Sequence, residues 1–383
     1  MKLYYEWGTR QIQKQGEELC GDSIAVSRKM NSVTMVLSDG LGSGVKANIL
    51  STLTTSIAMK MLDNDLPLRE VVQTLSETLP TCQVRKLAYS TFAIAQFFTE
   101  GYARVTEFDS PTPIFLRHRK IQPVIYEDRT IEGKEIHESL LNLETGDLIV
   151  FMSDGILNAG IGGVYPLGWG WDQAGHFLEE QVHPDVSAQD TADKITETVN
   201  ELYAGAPGDD VSVVVVKVRH KRMLTLLTGL PADRTDDEDL VSRFVKRAGQ
   251  LVVCGGTTAK IVSRYVGRPL EVDLQTMTDD VPPMARLEGI NLVTEGILTL
   301  TRTSELLRSG AQKKTVMFKT DGSASLVRLL LDADHVYFLV GQALNPAHQN
   351  PELPNRLGIR LNVVREIADE LSKHGIEVTI ESV

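Results

Sequence analysis

The sequence is poor in cysteine, in long apolar runs and in positive charge, and each shortage removes a class of protein. Its cysteines, Cys20, Cys82 and Cys254, are odd in number and nowhere spaced C-x-x-C, so neither a disulfide framework nor a zinc knuckle is encoded. A reducing, cytoplasmic compartment is expected. No apolar run reaches the roughly 18 residues of a membrane span. The opening MKLYYEWGTR lacks the apolar stretch of a signal peptide, so an unanchored protein is expected. With 39 Lys and Arg against 51 Asp and Glu, the formal charge is −12, which speaks against nucleic acid or an anionic membrane as partner. Sites that hold cations suit such a chain better. Internal repeats and low-complexity segments are missing too.

What is present is ordinary globular material, 42% apolar and 23% charged. At 383 residues the chain exceeds what one core usually spans, about 250–300 residues, so two domains are expected. The basic cluster RHKR at 219–222 interrupts the pattern and precedes a new strand, MLTLLTG. We place the boundary there, giving domains 1–220 and 221–383.

Within the first domain, SVTMVL (32–37) reads as a strand ending in Ser38-Asp39-Gly40. The period then changes. Ile49, Leu50, Leu53, Ile57 and Met61 recur at helical spacing and predict a helix. Leu68, Val71, Val72, Leu75 and Leu79 predict a second helix after Pro67. Strands return with TFAIAQFF, YARVTEF, PIFLRH and DLIVFM, the last ending in Ser153-Asp154-Gly155. Helices are expected at 174–182 and 186–203, followed by Gly208-Asp209-Asp210 and the strand VSVVVVKV.

Acidic turns thus abut apolar strands at Gly21-Asp22-Ser23, Ser38-Asp39-Gly40, Ser153-Asp154-Gly155 and Gly208-Asp209-Asp210. Any one alone is an ordinary turn, because Asp bonds its own backbone and Gly supplies positive φ. Their order and placement together carry more. Hard divalent cations such as Mg²⁺ and Mn²⁺ want oxygen ligands, and carboxylates gathered from strand ends can hold them. Two such ions can activate a water and neutralise phosphoryl oxygens, which describes a hydrolase without a protein nucleophile.

Taken in order, GDSIAV, MVLSDGLGSGVKAN, VFMSDGI and GDDVSVVVV resemble the metal-dependent protein phosphatases of the protein phosphatase 2C family, in its bacterial SpoIIE-like branch, over about residues 15–218. The resemblance implies an α-β-β-α sandwich of two packed antiparallel sheets. It also implies hydrolysis of phosphoserine or phosphothreonine on a partner protein in bacterial signalling, by a water activated between two Mn²⁺ or Mg²⁺ ions. By the same resemblance Asp22 lies in the metal cluster, Asp39 bridges the metals and Gly40 lends its backbone carbonyl. Asp154 and Asp209 ligate from the opposite side, with Asp210 a second-choice ligand or hydrogen-bonding neighbour.

One departure is visible. Eukaryotic members carry an Arg five positions before the first metal-binding Asp, where this chain has Glu17. Phosphate capture then falls to the metals or to another basic residue, Lys46 being a candidate beside its plain reading as a solvated lysine at a helix start. The glycine-rich segment 162–171 holds Trp169 and Trp171. It reads either as a flap beside the site or as a loop pinned by its aromatics. His118, His137 and His176 lack ligand-like spacing.

The second domain alternates strands and helices, which predicts a layered α/β domain with a mostly parallel sheet. The strand LVVC leads into Gly255-Gly256-Thr257-Thr258 and a helix, the makings of an anion site, although Thr257 also reads as a plain N-cap. Neither a Walker A loop nor a dinucleotide turn is matched. Cys254 is either redox-active or inert in a strand end. Residues 279–283 and 345–354 read as surface loops. A regulatory role, binding a small anion or a protein partner, is expected here. Two rival readings of the whole stand beside the phosphatase: a two-metal phosphoesterase for a small metabolite or nucleotide, and a degenerate binding module.

Overall fold

The computed structural model describes residues 3–78, 90–183, 185–231, 233–342 and 356–383. Leu79, Cys82 and the polar stretch 345–354 lie outside them. The chain divides into two compact units, Met1–His220 and Lys221–Val383.

The first unit contains β1 (Tyr4–Ile12), β2 (Asp22–Arg28), β3 (Ser32–Asp39), α1 (Gly44–Asp63), α2 (Leu68–Thr78), β4 (Phe92–Phe98), β5 (Tyr102–Phe108), β6 (Ile114–Arg117), β7 (Lys120–Gln122), β8 (Glu127–Ile131), β9 (Lys134–Asn142), β10 (Leu148–Met152), α3 (Asp154–Leu157), α4 (Gly170–Gln181), α5 (Ala188–Leu202) and β11 (Val211–Arg219). They form two antiparallel sheets, ordered β1-β11-β10-β6-β7 and β2-β3-β4-β5-β9-β8. Side-chain alternation builds the layers. Val214, Val216, Phe151 and Ile149 meet Met35, Leu37, Ala95 and Phe97 between the sheets. On the far face Val213 and Val215 pack with Ile195 and Leu178 of α5 and α4, and Val36 and Ile94 pack with Ala58, Leu62, Val71 and Val72 of α1 and α2. This is the α-β-β-α sandwich. β11 is buried on both faces, which explains its unbroken run of valines.

Of the apolar residues that mark α1, Ile57 and Met61 pack partly against the core, but small residues make its most buried face. In α1, Ile49 and Leu53 are 59% and 42% exposed, and the buried face is Ala47, Ser51, Thr54, Thr55, Ala58 and Leu62. Small side chains let the helix settle close on β2, where the Thr55 and Ser23 hydroxyls lie 3.0 Å apart. The hydroxyls of Thr54, Ser51 and Thr55 donate to carbonyls of the preceding turn, so burying them leaves no donor unpaired. Apolar periodicity located the helix, and its most buried face is set by small side chains.

The second unit contains β12 (Met223–Thr228), α6 (Asp237–Val245), β13 (Gln250–Cys254), α7 (Gly256–Val266), β14 (Glu271–Asp273), β15 (Met284–Leu287), β16 (Ile290–Thr294), α8 (Ile297–Arg308), α9 (Lys313–Val316), α10 (Gly322–Asp332), β17 (His335–Val340), α11 (Arg356–Lys373) and β18 (Glu377–Ser382). Its sheet runs β14-β15-β16-β13-β12-β17-β18. The five strands from β16 to β18 are parallel, and β14 and β15 add an antiparallel edge. Leu227, Val253, Leu240, Val241, Phe244, Ala259 and Val262 close one face with α6 and α7. Leu224, Leu226, Val252 and Phe338 close the other with α8, α10 and α11.

Candidate functional site

The acidic turns meet at one edge of the sandwich. β2 and β3 pair so that Asp22 stands directly opposite Asp39 at the last rung of the ladder. Like charges placed so are destabilising unless a proton or a cation compensates them. From the other sheet, β10 runs out through Ser153 into α3, whose first residue is Asp154, and its neighbour β11 begins just after Asp209 and Asp210. The Ser153 amide donates to the Ser212 carbonyl at 2.9 Å and the Ser212 amide to Ser153 Oγ at 2.9 Å, locking these two ends together.

Two close backbone approaches hold the edge in place. A Cβ on Gly40 would lie 2.1 Å from the Ala47 carbonyl, and one on Gly155 would lie 2.0 Å from that of Asp210. The glycines of both Ser-Asp-Gly motifs are therefore required by packing as well as by the turn. Gln11 of β1 links the sheets: its Nε2 donates to Ser212 Oγ at 2.9 Å and to the Asp22 carbonyl at 3.3 Å. Nothing in the sequence pattern around Gln11 signalled this.

The electrostatics follow from crowding. Burial, then the charges of Asp22, Asp154 and Asp209, push the Asp39 carboxyl up to about 9. Burial is also the main reason Asp22 rises to about 6, with Asp210 and Asp154 adding to it and the hydroxyls of Ser212 and Ser153 opposing it. Neither hydroxyl makes a hydrogen bond of ordinary geometry to Asp22, whose two carboxylate oxygens are buried without a partner. Asp209 is raised by burial and Asp154. Tyr203, whose hydroxyl donates to the Gly155 carbonyl at 2.7 Å, is lifted to about 12 by burial, Asp209 and Asp154. It is a neighbour of the cluster that sequence reading missed, hidden at the end of an otherwise plain helix.

Asp210 is set apart from the others. Its Oδ1 accepts the Lys14 amide at 2.9 Å, fastening the segment between β1 and β2. Glu17 sits at the amino end of α1, where Ser43 Oγ donates to its Oε1 at 2.7 Å. The position that carries a phosphate-gripping Arg in eukaryotic members thus holds a carboxylate bonded to the Ser43 hydroxyl. Lys46 is exposed in the first turn of α1. Cys20 lies close by, but burial and the Asp22 charge raise its thiol to about 12, leaving it a poor nucleophile.

A divalent metal fits this donor set. Orphaned buried carboxylate oxygens on Asp22 and a carboxylate pair at one rung need compensation, and every donor is a hard oxygen. Among the described residues no three His, Cys, Asp or Glu side chains converge tightly enough to enclose one ion. An open site suits Mg²⁺, which keeps several waters and takes one or two carboxylates.

The remaining sequence candidates have structural places. Trp169 is buried and meets the Phe177 ring edge-on at 5.3 Å, and Trp171 Nε1 donates to the Thr112 carbonyl at 2.9 Å, so both pin segment 162–171. His137 pairs with Asp128, His176 lies beside Glu179, and His118 turns between β6 and β7 with φ +50°. In the second unit Gly255, with φ +140°, is the N-cap of α7. Thr257 is therefore not the N-cap but lies exposed in the first turn, and Thr258 is buried. Cys254 is fully buried, which pushes its thiol to about 12 and makes it inert.

By architecture and acidic edge, the first unit is a PP2C-type phosphatase domain. Residues 29–219 match the family described as stage II sporulation protein E (SpoIIE), and this part of the chain belongs to that family. Among solved structures, the PP2C phosphatase domain with a fragment of the regulatory domain of the cell fate determinant SpoIIE from Bacillus subtilis is 23% identical, with a TM-score of 0.50. The match covers 57% of this chain and 64% of that one, so less than two thirds of that relative's length is spanned. The SpoIIE phosphatase domain from the same organism in a second crystal form is 21% identical, covers 57% and 94%, and has a TM-score of 0.44. The SiaA-PP2C domain of Pseudomonas aeruginosa is 12% identical, covers 55% and 85%, and has a TM-score of 0.46. No curated protein shows a significant match. Among the described residues no helix is long and apolar enough to cross a membrane.

Proposed function

We propose that the first unit removes phosphate from phosphoserine or phosphothreonine of a partner protein, in a reaction that depends on Mn²⁺ or Mg²⁺. The observation that carries this reading is the rung at which Asp22 faces Asp39, with Asp154 and Asp209 close enough to raise the Asp39 carboxyl. Asp22, Asp39 and the Gly40 carbonyl would hold metal from one sheet, and Asp154 and Asp209 from the other. When bound, two such ions activate water and offset phosphoryl charge. Asp210 acts through position, keeping the Lys14 segment against the site. Gln11, Ser153 and Ser212 keep the strand ends in register, and Tyr203 fixes the Gly155 turn. The Glu17 carboxylate adds no cation for the phosphate, so substrate capture relies on the acidic edge loaded with metal.

Incubation with a panel of phosphopeptides, nucleotides and sugar phosphates, with and without divalent metal, tests the reading. Metal-dependent release of phosphate fastest from phosphopeptides is expected. Faster turnover of a small phosphoester would reassign the substrate class, and no turnover of any would make the unit a binding module.

A further inference from the structure

The parallel strands of the second unit, numbered by chain order, lie in the sequence third, second, first, fourth, fifth, because β12 is central, β13 and β16 follow to one side, and β17 and β18 to the other. At such a reversal the connections leave the sheet in opposite directions, and a crevice opens beyond the carboxyl ends of the two central strands. Here those ends are Thr228 of β12 and Val340 of β17, which are register partners.

Three independent features converge on that edge. The first is an orphan: Thr228 is 1% exposed and its hydroxyl has no hydrogen-bond partner. It shares strand parity with Leu224 and Leu226, so it points to the face covered by α11. The second is a cation on that same face. Arg360 of α11 is half-buried and donates to the Gly341 carbonyl at 3.3 Å. Gly229 leaves room for it, since a Cβ there would fall 2.4 Å from Arg360 Nη1, and Gly341 lets the two strand ends approach, since a Cβ there would fall 2.1 Å from the Leu230 amide nitrogen. Burial works against the Arg360 charge, and Glu295 is the carboxylate that offsets it.

The third feature is a difference among helix starts. The first turn of α6 holds Asp237, Glu238 and Asp239, α8 has Glu295 Oε2 accepting the Leu298 amide, and Asp321 caps α10 through the Ser323 and Ala324 amides. Helix α7 has no acid in its first turn and a glycine N-cap without a side chain. That N-cap, Gly255, follows Cys254, the register partner of Thr228 one strand away. Free amides and the positive end of the helix dipole therefore face the same edge as the orphaned hydroxyl and the guanidinium.

We infer that the second unit binds a phosphate-bearing small molecule across the carboxyl ends of β13, β12 and β17, held by the first-turn α7 amides at Gly256 and Thr257, Arg360 and the Thr228 hydroxyl. The starts of α6, α8 and α10 already hold carboxylates of their own, whereas that of α7 holds none, so an added anion is better received at α7 than at those three.

Calorimetric titration of the full chain, in chelator and at constant ionic strength, with inorganic phosphate, pyrophosphate and ADP tests the inference. At least one should bind with a Kd of about 1 mM or tighter. Preference for ADP would mark a nucleotide, and equal binding of pyrophosphate would mark the phosphates alone. Gly256→Asp places a carboxylate at the α7 start, where a Cβ meets nothing within 4 Å. It should weaken binding at least about tenfold while keeping or raising Tm, since an acid suits that helix end. Arg360→Gln should weaken binding by a similar factor, and Thr228→Val by less. If none of the three probes binds, or if binding ignores both Gly256→Asp and Arg360→Gln, the inference is overturned.

Discussion

The two units both place their chemistry at strand ends, with opposite sign. In the antiparallel sandwich, hairpin register and two Ser-Asp-Gly turns gather carboxylates until their protons are held abnormally tightly. In the parallel sheet, the carboxyl ends of β12, β13 and β16 lead toward the starts of α6, α7 and α8, so the shared edge collects helix amides and, with Arg360, a guanidinium. An antiparallel edge is made of turns, whose preferred residues include Asp, whereas a parallel edge is made of helix amino ends, whose field is positive. One unit is therefore suited to cations and the other to anions before any specific residue is chosen.

The sharpest way to break this comparison is to remove a carboxylate from the acidic edge. Asp39→Ala or Asp154→Ala should lower metal-dependent turnover by at least about a thousandfold, roughly 4 kcal/mol in barrier. Without metal, the Tm of Asp39→Ala should stay level or rise, because a buried carboxyl that must take up a proton on folding has been removed. Loss of folding in step with activity would make these turns purely structural.

A second test separates burial from crowding. Glu107 is 2% exposed on β5, and burial, with no contribution from the acidic turns, lifts it from 4.5 to about 7 against the opposing effects of Tyr126 and His137. Its folded value exceeds the unfolded one, so the unfolded chain releases its proton first as pH rises. Stability should fall between about pH 4.5 and pH 7 and then level off, by about 3 kcal/mol from this group. Urea midpoints for Glu107→Gln should lack that part of the slope, and an unchanged slope would show that Glu107 is not responsible.

How much of this was legible beforehand differs between the units. The acidic turns showed in the sequence because each is a contiguous tripeptide beside an apolar strand, and the sandwich followed from the family resemblance. The face of α1 did not, since Ala47, Ser51, Thr54 and Ala58 are buried by virtue of their small size while Ile49 and Leu53 face outward. The hairpin of β15 and β16 was missed because four- and five-residue strands carrying Arg286 and Asn291 show little alternation. The crevice of the second unit was half visible in Gly255 and Gly256. Thr228, Gly341 and Arg360 come from distant segments that only strand order brings together.

Smaller effects sharpen the division between the units. Removing residues 221–383 should leave turnover of a small aryl phosphate within about tenfold of the full chain, or 1.4 kcal/mol in barrier. Total loss in a still-folded truncation would mean that the second unit completes the site. Smallest of all, Ile49→Ser on the outward face of α1 should shift the unfolding free energy by no more than about 0.5 kcal/mol, whereas Leu62→Ala on the inward face should cost about 2–4 kcal/mol. A reversed ranking in chemical denaturation would contradict the burial of Leu62 and the exposure of Ile49.

The most direct measurement is the rate at which the full chain hydrolyses an aryl phosphate as Mn²⁺ is titrated into metal-free protein. The acidic edge predicts no turnover in chelator and a saturable rise with metal that Asp39→Ala abolishes. Turnover that is equal with and without metal, or that survives Asp39→Ala unchanged, would contradict it.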